Sequence, residues 1–249
     1  MGLTINYKLS VPQNLSSAVV RELAARTALY ARKIGCAEVD EVKRVEADTP
    51  FTTLLVEFGR EEEDLYDSVR ATRGWAVEVW PGKGCESALF GLCQYPRRMS
   101  FRGSSVPTGY KGGWQLRSFC KTQYASEHGW EHFLKCHRQI ISLLDFWKQL
   151  GVTVDVDDEG EYWPTRSEEK LKTILRQYNG LVAALGGMLK DAAADSATGF
   201  SVESPIFDYA HFERLEHEGR REFCAQIAQL QKEARTGHFQ TSRAAGQKN

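Results

Sequence analysis

No apolar run in this 249-residue sequence approaches the ~20 residues a membrane-spanning helix needs; the hydrophobic stretches are short and broken by charge. A membrane protein of the helical kind is not expected. The N-terminal MGLTINYKLS has no secretory h-region. CxxC pairs are missing as well, although six cysteines are present (Cys36, Cys85, Cys93, Cys120, Cys136 and Cys224). Without a signal peptide these read as buried thiols with at most one reactive member, not as a disulfide framework, and the expected location is the cytoplasm. Nor is there an excess of one charge: Lys+Arg number 32 against 33 Asp+Glu, a net −1. No global basic field is available to hold phosphate backbones, so nucleic-acid binding is not expected unless a local patch supplies it. No internal repeat is visible. What remains, 42% hydrophobic and 26% charged, is the balance of an ordinary folded chain, long enough to bury a sizeable core.

Periodicity gives the elements. Leu3, Ile5, Tyr7, Leu9 and Val11 alternate as in a strand with one buried face. Pro12 ends it, and Ser16 or Ser17 caps a helix whose Val20, Leu23, Thr27, Ala31 and Ile34 recur at helical spacing up to a stop at Gly35. Extended segments follow around Val39, Val42 and Val45, at 52–59 and at 75–80, with EEEDLYDSVRATRG (61–74) reading as a short helix. Residues 1–100 thus read β-α-β-β-α-β, compatible with a ferredoxin-like mixed sheet with helices on one face. Residues 81–125 are loop-rich, irregular structure or an unresolved pair of hairpins, and the connection 101–126 separates the first region from a mainly helical one, 127–249. There, 127–150 is a helix capped by Ser126, VTVDVDDEGEYW (152–163) a strand running into an acidic turn, and Ser167, or Thr165 with Glu168, the cap of a further helix. Its Gly180, Ala183, Ala184, Gly186 and Gly187 offer small surfaces for a close helix approach, with the 127–150 helix as the expected partner. A last helix spans about 208–235, with a break at Gly219 left open. The fold class is α+β, packed as one unit or two.

Several constellations could carry chemistry. His128, Glu131 and His132 fit HxxEH, in which two histidines bind zinc and the glutamate activates water. Against it stand Gly129, which weakens the helix, and the want of an assignable third ligand; Glu131 also pairs well with Lys135 at i+4. Cys120, beside Lys121 and just before a helix start, has the neighbours of a nucleophilic thiolate, although cysteine is also among the most buried residue types. The glycines of PGKGCE (81–86) after a strand expose backbone N–H groups, with Lys83, Cys85 and Glu86 alongside; Lys121, Gln123, Tyr124 and the loop residue Trp163 complete the candidate ligand-binding set. The acids from Asp155 to Glu161 lack the spacing of a calcium loop and read as a solvated turn, and His137 reads as a core histidine.

The blocks GWAVEVWPGKGCESALFGLCQYP, WQLRSFCKTQYAS and DEGEYW together resemble a family of bacterial proteins with no assigned activity, over roughly residues 75–190. That resemblance implies a bacterial cytosolic origin and brings no catalytic residue, substrate or cofactor. The function expected from sequence is a soluble binding or regulatory protein, with a protein partner or a second copy as the open partner classes. The alternative is a hydrolase, acting through zinc at 128–132 or through Cys120.

Overall fold

In a computed structural model of the chain, residues 3–12, 15–46, 49, 52–60, 63–194 and 201–236 are described. The chain divides into two compact units, residues 2–175 and 176–249, with the boundary inside a helix.

β1 (Thr4–Val11) is the spine of the first unit, and its Ile5, Tyr7, Leu9 and Val11 are buried, as their alternation predicts. α1 (Ser17–Lys33) starts where Ser16 Oγ accepts the Val19 N–H, buries Val20, Leu23, Ala24, Thr27, Ala28 and Ala31, and stops at Gly35. Then come β2 (Glu38–Val39), β3 (Lys43–Val45), β4 (Thr53–Arg60), β5 (Glu63–Arg70), β6 (Arg73–Trp80) and β7 (Ala88–Gln94). They are followed by β8 (Arg98–Phe101), β9 (Ser104–Pro107), β10 (Trp114–Lys121), α2 (Trp130–Gln149), β11 (Thr153–Asp158), α3 (Tyr162–Thr165) and α4 (Glu168–Ala194).

The main sheet runs β11-β1-β10-β7-β6-β2, with β3 also on β6, and each described pairing is antiparallel where a mixed sheet was expected. Because β10 and β11 both run opposite to β1, they are parallel to each other, and α2 joins them across it in a split β-α-β unit. β1, α1, β7, β10, α2 and β11 therefore form a ferredoxin-like core. It spans residues 4–158 and not the first hundred: β2 to β6 and the hairpin β8–β9 are inserted into it.

Of residues 61–74, expected as a helix, 61–62 lie outside the described residues and 63–70 form strand β5, paired along its length with β4. Tertiary burial overrides local propensity here, since Leu54 and Val69 pack on a cluster that includes Val45, Ala76 and Tyr95. The 81–125 stretch resolves into β7, the β8–β9 hairpin and β10. β7, ALFGLCQ, is covered on both faces and so shows no alternation to detect. α2 begins at Trp130 after Gly129 (φ +94), and Ser126 does not cap it: its hydroxyl donates to Gln123 O in a preceding 3-10 turn, Gln123–His128. Ser167 Oγ does cap α4, accepting the Lys170 N–H. The first turns of α4 lie by α2, with Arg138 bound to Glu168 at 3.0 Å and Lys172 over the Trp130 ring.

In the second unit, residues 176–194 continue α4 and are followed by a 3-10 turn at Pro205–Asp208 and α5 (Phe212–Thr236), which runs unbroken through Gly219. The small surface at Gly180 serves α5: a side chain at Gly219 would collide with the Gly180 backbone. Among the described residues no helix is long and apolar enough to cross a membrane.

Candidate functional site

α1 and α2 cover one face of the sheet, and side-chain alternation puts the other set of residues on the opposite face. There Lys8 of β1 lies directly across from Arg117 of β10, and Asn6 from Phe119. On the other side of β1, Lys8 faces Asp155 of β11 and Asn6 faces Asp157. These residues floor a cleft of about 1390 Å³, which β3 and β4 bound with Lys43 and Leu55. Phe119 keeps 45% of its surface exposed and Leu55 keeps 55%, an apolar pair in a concave site of the kind ligands cover. Like charges directly opposite on one sheet face destabilise it, and neither Lys8 nor Arg117 forms an ion pair among the described residues. Lys43 is engaged, its Nζ 2.6 Å from Asp40. Glu78 and Glu86 join the two aspartates in the lining, so the cleft as a whole carries no cationic surplus.

A second constellation sits where the 81–86 loop closes on the start of α2. Gly84 (φ +75) lies against the Tyr124 backbone, where any side chain would collide, and a Cβ at Gly82 would meet Cys136 Sγ at 3.0 Å. His132 Nε2 is 3.0 Å from Lys83 O and 3.6 Å from Cys136 Sγ. A carbonyl only accepts, so Nε2 carries the proton and donates it to Lys83 O, with the Cys136 sulfur a longer neighbour of the same nitrogen. The Cys85 thiol first, then the electrostatic pull of His132 and Lys135, outweighs burial and brings the Cys136 pKa down to about 7. Interaction with Cys136, followed by burial, pushes the Cys85 thiol up.

Cys120, the nucleophile suggested by sequence, is fully buried. Its thiol donates to Glu86 O at 3.1 Å, and burial, followed by Glu86, raises its pKa. Burial pushes Cys36 up to about 11. His132 and Cys136 are four apart on one helix, a spacing that places both on one face and is readable in the sequence.

A third polar group lies under the helices. His137 Nε2 faces the Asp158 carboxylate at 3.4 Å while Nδ1 lies 3.0 Å from the Thr122 hydroxyl, and the His137 and Asp158 side chains are completely buried. Asp158 also accepts the N–H groups of Gly160 and Trp163. Burial alone would raise its pKa, but the hydrogen bond and pull of His137 and the two N–H groups hold it below the usual value. This corrects the reading of 155–161 as solvated throughout: Asp158 is a core residue, as His137 is.

The remaining sequence candidates scatter. His128 ends the 3-10 turn with its ring 5.3 Å from that of His132, and Glu131 is exposed on the first turn of α2. Among the described residues no group of three His, Cys, Asp or Glu side chains is placed to hold a metal ion. Gln123 is buried, accepting the Leu3 N–H at 3.0 Å; Lys121 lies over the Tyr124 ring. Lys83 is exposed and contributes its carbonyl, Glu86 reaches the cleft, and Trp163 stacks under Arg166 away from both sites. Comparison with protein-family models, curated proteins and solved structures finds no match to this chain.

Proposed function

We propose that this chain is a binding protein whose open sheet face takes a small ligand combining one anionic group with a flat apolar ring, the chemistry of a nucleotide. The carrying observation is the Lys8–Arg117 pair, two cations held side by side on a cleft floor with the half-exposed Phe119 two residues from Arg117 on the same face. An anion relieves their repulsion through charge-assisted hydrogen bonds, and Arg117 offers a bidentate fork. Phe119 supplies a stacking surface for a ring, the arrangement by which sheet platforms hold bases. The surrounding acids favour a small ligand over a long polyanion, since Asp155, Asp157, Glu78 and Glu86 would repel phosphates placed beyond the central pair.

Calorimetric titration of the full chain with adenosine 5′-monophosphate, phenyl phosphate and adenosine tests this. The two phosphates are expected to bind saturably and adenosine more weakly. A short oligothymidylate is expected to bind no tighter than the mononucleotide; tighter binding would assign the face to a strand instead. Absence of saturable binding by both phosphates overturns the reading.

A further inference from the structure

We propose that the β8–β9 hairpin is a docking arm for an anionic bilayer: its tip enters the headgroup layer, and cations at its tip and root meet the lipid phosphates. The first observation is one of charge. Residues 87–126 contain no aspartate or glutamate, yet hold Arg97, Arg98, Arg102, Lys111, Arg117 and Lys121. In a chain of net −1, that stretch is a local positive field. Arg117 floors the cleft. Arg97, Arg98, Arg102 and Lys111 are exposed on the hairpin or beside it, and none of the four forms an ion pair among the described residues. At the root, a Cβ on Gly112 would lie 3.4 Å from Arg97 Nη2, and Arg73 sits over the Trp114 ring at 5.5 Å.

The second observation is the arm's build. Among the described residues β8 and β9 pair only with each other, and a two-stranded ribbon alone is marginally stable in water. Arg102 (φ +48) and Gly103 (φ +79) close it in a tight two-residue turn. Arg98 braces it, Nε donating to Ser105 Oγ at 3.0 Å and Nη2 to Ser105 O at 2.6 Å. The register puts Met99 opposite Val106 and Phe101 opposite Ser104 on one face, all three apolar side chains partly exposed. At the tip the Arg102 guanidinium lies 5.4 Å over the Phe101 ring. A bilayer interface takes such a pair, the ring below the phosphates and the cation among them.

Length agrees with this placement. Four residues per strand at ~3.3 Å each make an arm of about 13 Å. A tip sunk about 5–10 Å leaves Arg97 and Lys111 level with the phosphates. A nucleic acid fits the arm less well. Its backbone needs several cations along one face, whereas Arg98 shares its strand face with Ser100, Ser105 and Pro107, and the opposite face is apolar.

Flotation of the full chain with vesicles tests the arm, phosphatidylcholine alone against phosphatidylcholine with roughly one lipid in three phosphatidylglycerol. Saturable binding is expected only to the anionic vesicles, and is expected to be lost in about 1 M salt, where the screening length is ~3 Å. Combined Arg97→Gln, Arg102→Gln and Lys111→Gln should leave urea unfolding unchanged and weaken binding about a hundredfold, at about fivefold per cation. Phe101→Trp should add a blue-shifted component to the emission spectrum when anionic vesicles are present. Equal binding to both vesicle types, binding to neither, or full binding by the triple variant overturns the proposal, as does a Phe101→Trp spectrum that vesicles leave unchanged. Binding to a DNA duplex but not to vesicles overturns it by assigning the arm to nucleic acid. Displacement from vesicles by excess adenosine 5′-monophosphate overturns it by placing the headgroup in the cleft, so failure here and failure of nucleotide binding are separate results.

Discussion

The two faces of the sheet treat charge in opposite ways. Under the helices, Tyr7 donates to Leu89 O, and His137, Asp158 and Thr122 form a closed network; among the described residues of that unit only Gln139 Oε1 and Trp147 Nε1 are buried without a partner. On the open face, one residue away along the same strands, Lys8 and Arg117 stand side by side with no ion pair among the described residues. Buried polar groups must be satisfied within the fold, whereas a cleft can leave charge to be satisfied by something that arrives. β11 shows the contrast within four residues: Asp158 is a core strut, and Asp155 and Asp157 face the cleft.

Breaking the closed side is expected to produce the largest effect. Asp158→Ala strands His137 and two N–H groups in the core, and urea unfolding should show a loss of about 3–5 kcal/mol, while Asp155→Ala should stay within about 0.5 kcal/mol. The acid dependence sharpens this. A depressed carboxyl pKa contributes stability that is present above the unfolded value, about 3.9, and is lost as pH falls through the folded one. The stability gap between wild type and Asp158→Asn should therefore be constant near neutrality and shrink only in acid.

Gly84→Ala comes next. Its positive φ and contact with the Tyr124 backbone predict a cost of about 1–3 kcal/mol in the same unfolding measurement, with the Cys136 thiolate titrating at higher pH as the 81–86 loop lifts. The smallest effect on stability is expected for His132→Ala, under about 1 kcal/mol, because the ring is only partly buried and its bonds are to a loop. Its signature is spectroscopic: ultraviolet thiolate absorbance, which should titrate near pH 7 in the wild type, should move toward the ordinary cysteine range.

Legibility in the sequence followed burial geometry. β1 and α1 were readable because each buries one face, so period two and period 3.6 appear directly. β7 was not, since both its faces are covered, and β5 was not, since an acidic segment became a strand only by packing Leu54 and Val69 on a distant cluster. The helix over 130–149 was legible although its start was displaced by Gly129. Among site residues, Lys83 and Glu86 were singled out from a glycine-rich turn; the Lys83 carbonyl meets His132, and Glu86 reaches the cleft. The burial of Cys120 was not legible, because proximity to a lysine and a helix start says nothing about burial. The Lys8–Arg117 pair was beyond reach: those residues are 109 positions apart, and only the β1–β10 register brings them together.

The Lys8–Arg117 pair is the centre of the proposed binding site. Calorimetric titration of adenosine 5′-monophosphate into wild type and Arg117→Ala, with urea unfolding of both, measures it directly. The expected result is binding weakened about tenfold or more, from loss of a charge-assisted contact, in a variant whose stability is unchanged or slightly raised by removal of the like charge. Equal affinity in the two proteins would contradict the assignment of the open face as the binding site.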